Sequence, residues 1–225
     1  MMMTADETNA AARLAAVHAE MAKAAVDARR AVEDITLVAV SKTHDAPAIA
    51  PLIAAGQRHF GENRVQEAQA KWPALRERHG GITLHMVGQL QSNKAEDAVA
   101  LFDVIHSLDR PSLLAALARA MARQGRRLPC FVQVGLAGEA QKGGCAVADL
   151  PALLDAARAA DVPVAGLMTV PPAGLEPAPW FALLAKIADD HGLSGLSMGM
   201  SGDYPTAIRI GATHIRVGTA LFGAR

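Results

Sequence analysis

The stretch GLSMGMSGDYPTAIRIGATHIRVGTA, residues 195–220, contains two short β-type runs, Gly195–Met198 and His214–Val217, with a helical segment between them. Small polar residues follow both runs: Ser201 after the first, and Gly218 and Thr219 after the second. A strand, a helix and a second strand of this size are typical of a βαβ unit, in which the strands are parallel and their carboxyl ends meet. The stretch therefore predicts an α/β protein with a polar site at the carboxyl edge of its sheet.

The same rhythm continues towards the N-terminus. Six further β-rich runs precede the stretch: Thr36–Val40, Arg58–Phe60, Thr83–Val87, Phe102–His106, Pro129–Val134 and Val164–Leu167. Helical patterns rich in alanine and leucine lie between most of them, as at Pro111–Gln124, Ala148–Ala160 and Ala178–His191, and an amphipathic helix at Ala5–Val32 comes first. An open doubly wound sheet has the same local pattern, but the count of eight and the polar strand ends favour a single TIM-type (β/α)8 barrel.

The domain organisation follows from the absence of a linker. No stretch rich in glycine, serine or proline is long enough to divide the chain, and we interpret Pro171–Pro179 as a rigid loop after a strand. The prediction is one domain over residues 1–225, with an N-terminal helical segment at 1–34 and the barrel at 35–225.

Composition excludes several classes of protein. The 225 residues are 51% hydrophobic with a formal net charge of zero, so no basic field indicates nucleic acid. No apolar run reaches the roughly 18 residues of a membrane span. The N-terminus lacks the order of a signal peptide, and Cys130 and Cys145 belong to no metal-type or paired motif. We expect a cytoplasmic globular protein without metal.

Lys42 follows the first predicted strand, in the segment Ala39–Thr43. In a barrel this lysine would point into the mouth, where poor solvation favours the neutral amine that imine formation with an aldehyde requires. The alternative is an ordinary surface lysine at the end of a strand.

Arg216 lies inside the last strand, where a charged side chain needs a partner. A guanidinium there could face a pyridine nitrogen, or it could pair with a carboxylate at the edge of the core. The loops that contain Ser201, Gly218 and Thr219 follow the seventh and eighth predicted strands, and TIM barrels often bind phosphate between these two loops. Ordinary capped turns are the alternative explanation.

Several motifs in order resemble the pyridoxal phosphate homeostasis proteins, the YggS/PROSC family. The segments that carry the resemblance are AVSKT (39–43), FGEN (60–63), HMVG (85–88), LQSNK (90–94), SMGMS (197–201) and RVGTALFG (216–223). The resemblance spans residues 37–225. It implies a fold-type III barrel similar to the N-terminal domain of bacterial alanine racemase, without that enzyme's second domain.

The resemblance also implies site residues for the cofactor pyridoxal 5′-phosphate (PLP). Lys42 would form the Schiff base, and Arg216 would face the pyridine nitrogen. The phosphate would lie against Ser201, Gly218 and Thr219, and Asn63 and Met198 would lie near the ring. One departure from the family pattern is Gly135, which replaces the asparagine usual in the pocket wall after the fifth strand.

Three functions remain open at this point. The first is a PLP carrier in intracellular PLP homeostasis, which binds PLP reversibly at Lys42 and delivers it to PLP-requiring apo-enzymes without robust turnover. The second is a PLP-dependent amino-acid racemase, for which the only tyrosine, Tyr204, is poorly placed as a second acid/base group. The third is a phosphate-metabolite enzyme without PLP. Since a second domain is absent, we expect a monomer.

Overall fold

The computed structural model describes residues 5–138 and 143–223, so the ends of the predicted domain, 1–4 and 224–225, lie outside the described residues. Eight parallel strands close into a barrel in chain order, because β8 pairs with β1. The strands are β1 Thr36–Val40, β2 His59–Glu62, β3 Thr83–Met86, β4 Val104–Leu108, β5 Cys130–Gln133, β6 Val164–Met168, β7 Gly195–Met200 and β8 His214–Val217. The predicted barrel is confirmed, and the open sheet is excluded.

Helices surround the barrel. They are α1 Ala5–Asp27, α2 Ala46–Ala54, α3 Val65–Arg78, α4 Ala95–Leu101, α5 Pro111–Gln124, α6 Leu150–Ala159, α7 Ala178–Asp190, α8 Tyr204–Arg209 and α9 Thr219–Phe222. The extra helix α1 precedes the first strand and packs its apolar side, which includes Leu14, Val17 and Met21, against α2, α8 and α9.

Several predicted boundaries differ from the observed ones by one to five residues, and two of these differences have identifiable reasons. Helix α1 ends at Asp27 rather than Val32, because Arg29 adopts a positive φ of 54°. The guanidinium of Arg30 then donates a hydrogen bond to the carbonyl oxygen of Ala212 at 2.8 Å. Strand β4 begins at Val104 rather than Phe102, because the backbone N–H of Phe102 still caps helix α4. Local periodicity does not report such contacts with distant segments.

The inside of the barrel is filled unevenly. Val104, Phe131 and Met168 form a small apolar cluster within it. Other residues inside the barrel are polar and buried, among them His85, His106, Ser197 and Arg216. The inside of the barrel is therefore held together by hydrogen bonds as well as by apolar packing.

Within the described residues, no helix has the length and apolar character needed to cross a membrane.

Candidate functional site

A cavity of about 430 Å³ opens at the carboxyl ends of the strands, where TIM barrels place their sites. It brings together six of the seven predicted site residues: Lys42, Asn63, Ser201, Arg216, Gly218 and Thr219. Val40, Val87, Val170, Met200 and Gly202 complete its wall. The loops after β1, β2, β3, β6, β7 and β8 thus meet around one space.

Met198 is the predicted residue that the cavity does not include. Its side chain is fully buried in the main hydrophobic core, and Met200, two residues further along β7, lines the cavity instead. The register of β7 on β8 shifts between Ser197 and Met200, and Gly199 has a φ of 91°. This irregularity is not visible in a strand pattern read with period two, which is why sequence reasoning missed Met200.

Lys42 is the second residue after β1 and lines the cavity, but its side chain is exposed. The predicted poor solvation of this lysine was therefore wrong. The next residue, Thr43, has a φ of 65°, a left-handed conformation that costs a β-branched residue free energy. The backbone here must be held by contacts from elsewhere in the fold.

Lys71 of helix α3 supplies those contacts. Its Nζ donates to the carbonyl oxygen of Ser41 at 2.9 Å and to that of His44 at 2.8 Å, on either side of Lys42. Glu67, one helical turn earlier, accepts from Lys71 at 3.0 Å and from the backbone N–H of Thr43. The loop that presents Lys42 is therefore clamped to α3.

Glu62, the last residue of β2, is the buried counter-charge of Lys71. Its Oε1 lies 2.9 Å from Lys71 Nζ and accepts hydrogen bonds from Ser41 Oγ at 2.5 Å and Trp72 Nε1 at 2.9 Å. Burial raises the pKa of Glu62 above its usual value, against the hydrogen bonds from Ser41, Lys71 and Trp72 that lower it. Sequence reasoning did not single out Lys71, although its i, i+4 spacing from Glu67 was a usable signal.

Ser201 joins the two loops predicted to bind phosphate. Its Oγ accepts from the backbone N–H of Gly218 at 3.2 Å and lies 3.5 Å from that of Ala220. With its oxygen occupied as an acceptor, its hydroxyl hydrogen is available to donate into the cavity. Thr219 begins α9 and is exposed there, so its hydroxyl can donate in the same place.

Arg216 is almost completely buried, at 5% exposure. Its Nη1 donates to Ser197 Oγ at 2.7 Å and its Nη2 to the carbonyl oxygen of Thr169 at 2.9 Å. Neither partner is a carboxylate, so the alternative that Arg216 pairs with a carboxylate at the edge of the core is wrong. Burial lowers the pKa of Arg216 to about 10, partly opposed by the charge of Asp203, and the guanidinium remains protonated near neutral pH.

Asn63 follows β2 and is held in place by a close backbone approach. A Cβ atom on Gly88, after β3, would lie 2.6 Å from the Cα of Asn63, so glycine is required there. Asn63 also lines a second cavity of about 510 Å³, together with the amides of Gln89 and Gln91. The amide-rich segment after β3 thus lines a pocket, as its composition predicted.

Gly135, the departure from the family pattern, is not required by the backbone. A Cβ there would meet carbonyl oxygens at 3.6 Å, an ordinary contact distance. It lines a small recess after β5 that also includes Val170 of the main cavity wall.

The charges around the main cavity are unbalanced. Lys42 and Arg216 contribute two cations, and no aspartate or glutamate is among the described residues that line it. The same residues contain no group of three histidine, cysteine or acidic side chains placed to bind a metal ion. The cavity is therefore suited to an anionic ligand that reacts with an amine.

Comparison with known proteins gives the same picture. The model for the alanine racemase N-terminal domain matches residues 14–225. Pyridoxal phosphate homeostasis proteins are 40% identical over 96% of this chain in Pseudomonas aeruginosa and 38% identical over 94% in Escherichia coli K12, in each case covering 95% of the relative.

Among solved structures, PipY of Synechococcus elongatus, described with PLP bound, has a TM-score of 0.85 and 42% identity, and the match covers 95% of this chain and all of PipY. An alanine racemase of Clostridium difficile shares the fold alone, with 12% identity and a TM-score of 0.68 over 53% of that enzyme. With its complete barrel and its similarity to relatives along nearly its whole length, this chain belongs to the pyridoxal phosphate homeostasis protein family, within the group defined by the alanine racemase N-terminal domain.

Proposed function

We propose that this protein binds PLP, the active form of vitamin B6, in the cavity at the carboxyl ends of the strands and acts in the homeostasis of that cofactor. The observation that carries the proposal is the composition of the cavity: one exposed lysine, one buried arginine, two hydroxyls and no described carboxylate. An aldehyde that carries a phosphate dianion and a pyridine ring matches each of these groups.

The chemistry of the donor set supports this fit. Lys42 offers a primary amine in a loop clamped by Lys71, and an amine is what a reversible covalent link to an aldehyde needs. Ser201 and Thr219 offer hydroxyl hydrogens, and Gly218 leaves room for a phosphate beside β8. Since α8 and α9 are only six and four residues long, we assign phosphate binding to these donors rather than to helix dipoles.

Arg216 would lie against the pyridine nitrogen. A guanidinium keeps its proton, so it donates to the ring nitrogen and leaves that nitrogen unprotonated. PLP bound in this way is a weaker electron sink than PLP opposite a carboxylate. Arg216 therefore favours storage of the cofactor over catalysis.

The racemase alternative needs a second acid/base group on the opposite face of a substrate. Tyr204 does not meet this need, since it is 6% exposed and does not line the cavity. Burial raises its pKa further above the usual value. We therefore expect negligible exchange of an amino acid's α-hydrogen, and rapid exchange abolished by Lys42→Ala would contradict this.

The wider role rests on the same site. We propose that apo-enzymes that require PLP are the recipients, that release occurs when an incoming amine or water displaces Lys42, and that the protein works as a monomer in the cytoplasm. Transfer is tested by mixing the loaded protein with a PLP-dependent apo-enzyme and following recovery of that enzyme's activity. A loaded protein that restores no more activity than the free PLP in its filtrate would contradict the carrier role.

The cofactor assignment is tested by borohydride reduction of the protein after incubation with PLP, followed by peptide mass spectrometry. We expect a phosphopyridoxyl adduct on the Lys42 peptide in the natural sequence and none there in Lys42→Ala. Lys186→Ala, which removes an exposed lysine paired with Asp190, is the matched control and should label like the natural sequence.

Labelling spread over surface lysines, or none, would overturn PLP binding and favour the phosphate-metabolite enzyme. Lys42→Ala should retain cooperative urea unfolding, because an exposed side chain after a strand contributes little to the core. Loss of cooperative unfolding in that variant would contradict the placement of Lys42.

A further inference from the structure

A continuous row of hydrogen bonds runs through the inside of the barrel and ends at Arg216. Arg216 Nη1 lies 2.7 Å from Ser197 Oγ, and His106 Nδ1 lies 2.7 Å from the same oxygen. His106 Nε2 is 2.9 Å from His85 Nδ1, and His85 Nε2 is 3.0 Å from His59 Nδ1. The row therefore starts at the first residue of β2, at the amino end of the barrel, and reaches the wall of the cavity.

The direction of these bonds follows from Arg216. A guanidinium can only donate, so it occupies Ser197 Oγ as an acceptor. Among the described contacts, the Ser197 hydroxyl hydrogen is then left with one side-chain acceptor, Nδ1 of His106. A neutral His106 that accepts at Nδ1 carries its proton on Nε2.

The same reasoning passes along the row. His106 Nε2–H donates to Nδ1 of His85, so His85 also carries its proton on Nε2. His85 Nε2–H then donates to Nδ1 of His59. In this arrangement each ring has one tautomer, and the N–H groups of His106 and His85 each face an acceptor.

The surroundings keep the rings neutral. His85 and His106 are 1% and 0% exposed, and burial lowers the pKa of both well below the usual value, with His214 and neighbouring rings lowering it further. Burial also lowers the pKa of His59, partly opposed by the charge of Asp103 on β4. Among the described residues, the charged groups that act on the three rings are Arg216 and Asp103, the titratable neighbour is His214 on β8, and Asp203 acts on Arg216 itself.

Packing holds the plane of the central ring. His106 stacks on Phe131 of β5, with ring centroids 4.6 Å apart and planes 21° apart. His214 meets the same Phe131 edge-on at 4.9 Å. The acceptor presented to Ser197 is therefore rigid, and rigid acceptors orient a guanidinium better than mobile ones.

We propose that His106, acting through Ser197, is a positioning residue that sets the orientation of the Arg216 guanidinium at the cavity wall, and that His85 and His59 continue the row by accepting the hydrogen bonds that follow from the same tautomer. The consequence for cofactor retention rests on the proposed function. The orientation of Arg216 itself does not, since every contact in the row is within this chain.

The test uses the full chain without added PLP, labelled with ¹⁵N in histidine and arginine and studied by NMR at neutral pH. We expect His106, His85 and His59 to be neutral with the proton on Nε2, and the Arg216 side-chain N–H groups to exchange slowly with solvent. His106→Phe keeps the stack on Phe131 but removes the acceptor, and should speed Arg216 N–H exchange by about fivefold, the size expected for loss of a hydrogen bond between neutral groups.

Two further variants separate positioning from a general structural role. His106→Asn keeps a polar group near the position of Nδ1 and should restore most of the slow exchange, although it cuts the link to His85. His85→Phe leaves the contact between His106 and Ser197, so His106 should keep its proton on Nε2 and Arg216 N–H exchange should stay slow, whereas a mixture of His106 tautomers would contradict the direction assigned to the row. His191→Asn, at an exposed position after α7, is the control and should change nothing.

The proposal is overturned if His106 carries its proton on Nδ1. It is also overturned if His106→Phe is folded, as cooperative unfolding in urea would show, and its Arg216 N–H exchange is unchanged. In the loaded protein, His106→Phe should release PLP about fivefold faster, and His106→Asn should resemble the natural sequence. If the NMR results hold but PLP is retained equally by every variant, Lys42→Ala included, the proposed function fails and the positioning role of His106 stands.

Discussion

Lys71 donates a hydrogen bond from Nζ to the carbonyl oxygen of Ser41 at 2.9 Å, and this contact joins helix α3 to the residue that precedes Lys42. The two residues are 30 positions apart in the chain. The amine that we expect to react is therefore held by a neighbouring βα unit rather than by its own loop. The loop can then keep the left-handed conformation of Thr43 without a glycine.

Removal of this clamp should lower both the free energy of unfolding and the amount of PLP bound at Lys42. Lys71→Met leaves Glu62, which is fully buried, without its cation, and such a loss typically costs about 3–5 kcal/mol of unfolding free energy. We expect urea denaturation to show this loss and borohydride trapping to show less PLP on Lys42. Lys186→Met, in an exposed pair with Asp190, should change neither.

A double variant separates charge from the clamp. Glu62→Gln combined with Lys71→Met removes the unpaired charge and should recover part of the stability, while trapping at Lys42 stays low. Full recovery of trapping in the double variant would show that the clamp is not needed to present Lys42.

Gly88 should be sensitive to a single added methyl group. Gly88→Ala would place Cβ 2.6 Å from the Cα of Asn63, so the loop after β2 must shift and move Asn63 from the cavity wall. We expect a loss of stability and weaker PLP retention, measured by urea denaturation and by the rate of PLP release. Gly80→Ala is the matched control, because a Cβ there meets nothing within 4 Å. Equal behaviour of the two variants would contradict the close approach at Gly88.

Thr219→Ala should weaken PLP retention by removing one phosphate hydrogen bond. A hydrogen bond to a charged acceptor is worth about 1.5–3 kcal/mol, which corresponds to at least a tenfold faster release. Stopped-flow transfer of PLP to excess amine measures the rate. Thr36→Ala, at the amino end of β1, removes the same group far from the cavity and should release PLP at the natural rate. Unchanged release from Thr219→Ala would move Thr219 out of the site.

The barrel histidines should make stability depend on pH. Burial, followed by the charges of His59 and Arg216, lowers the pKa of His214 to about 4, whereas an unfolded histidine titrates near 6.5. The unfolded chain binds the extra proton between these values, so stability is present above pH 6.5 and is lost as the pH falls. His214 alone should account for about 2 kcal/mol between pH 7.5 and pH 5.

Urea denaturation across this range measures the slope. His214→Asn removes the titrating ring and should flatten the slope by about one proton. The raised pKa of Glu62 acts in the opposite direction, since it makes the folded state bind the extra proton, but a single carboxyl is outnumbered by His59, His85, His106 and His214. Stability that rises towards pH 5 would contradict the buried, neutral state of these rings.

The strands and the loops expected to bind the cofactor could be predicted because their sequence signals are local. Short β-rich runs at regular spacing identified all eight strands, with errors of a few residues at their ends. Lys42, Ser201, Gly218 and Thr219 lie within two residues of the ends of strands, and the closing of a parallel barrel brings all such positions to one edge. Their meeting in one cavity thus followed from the fold class.

Other residues could not be placed in this way. Met198 was expected at the site, but a shift in the register of β7 buries it and exposes Met200. The exposure of Lys42 depends on how far the loop after β1 stands out from the barrel, and that is set by Lys71. No local pattern carries information about either feature.

The sequence by itself determined that this chain forms an eight-stranded parallel barrel of a known family, and which residues stand at the carboxyl ends of its strands. These follow from the hydrophobic period and from motifs of four to eight residues. Only the tertiary structure decided that Lys71 clamps the loop that carries Lys42 and that His106 and Ser197, 91 residues apart, share the hydrogen bonds that reach Arg216. The physical reason is that a hydrogen bond needs its donor and acceptor, on side chains of different strands, at a separation that is right to within a few tenths of an ångström, and such separations exist only once the barrel has closed.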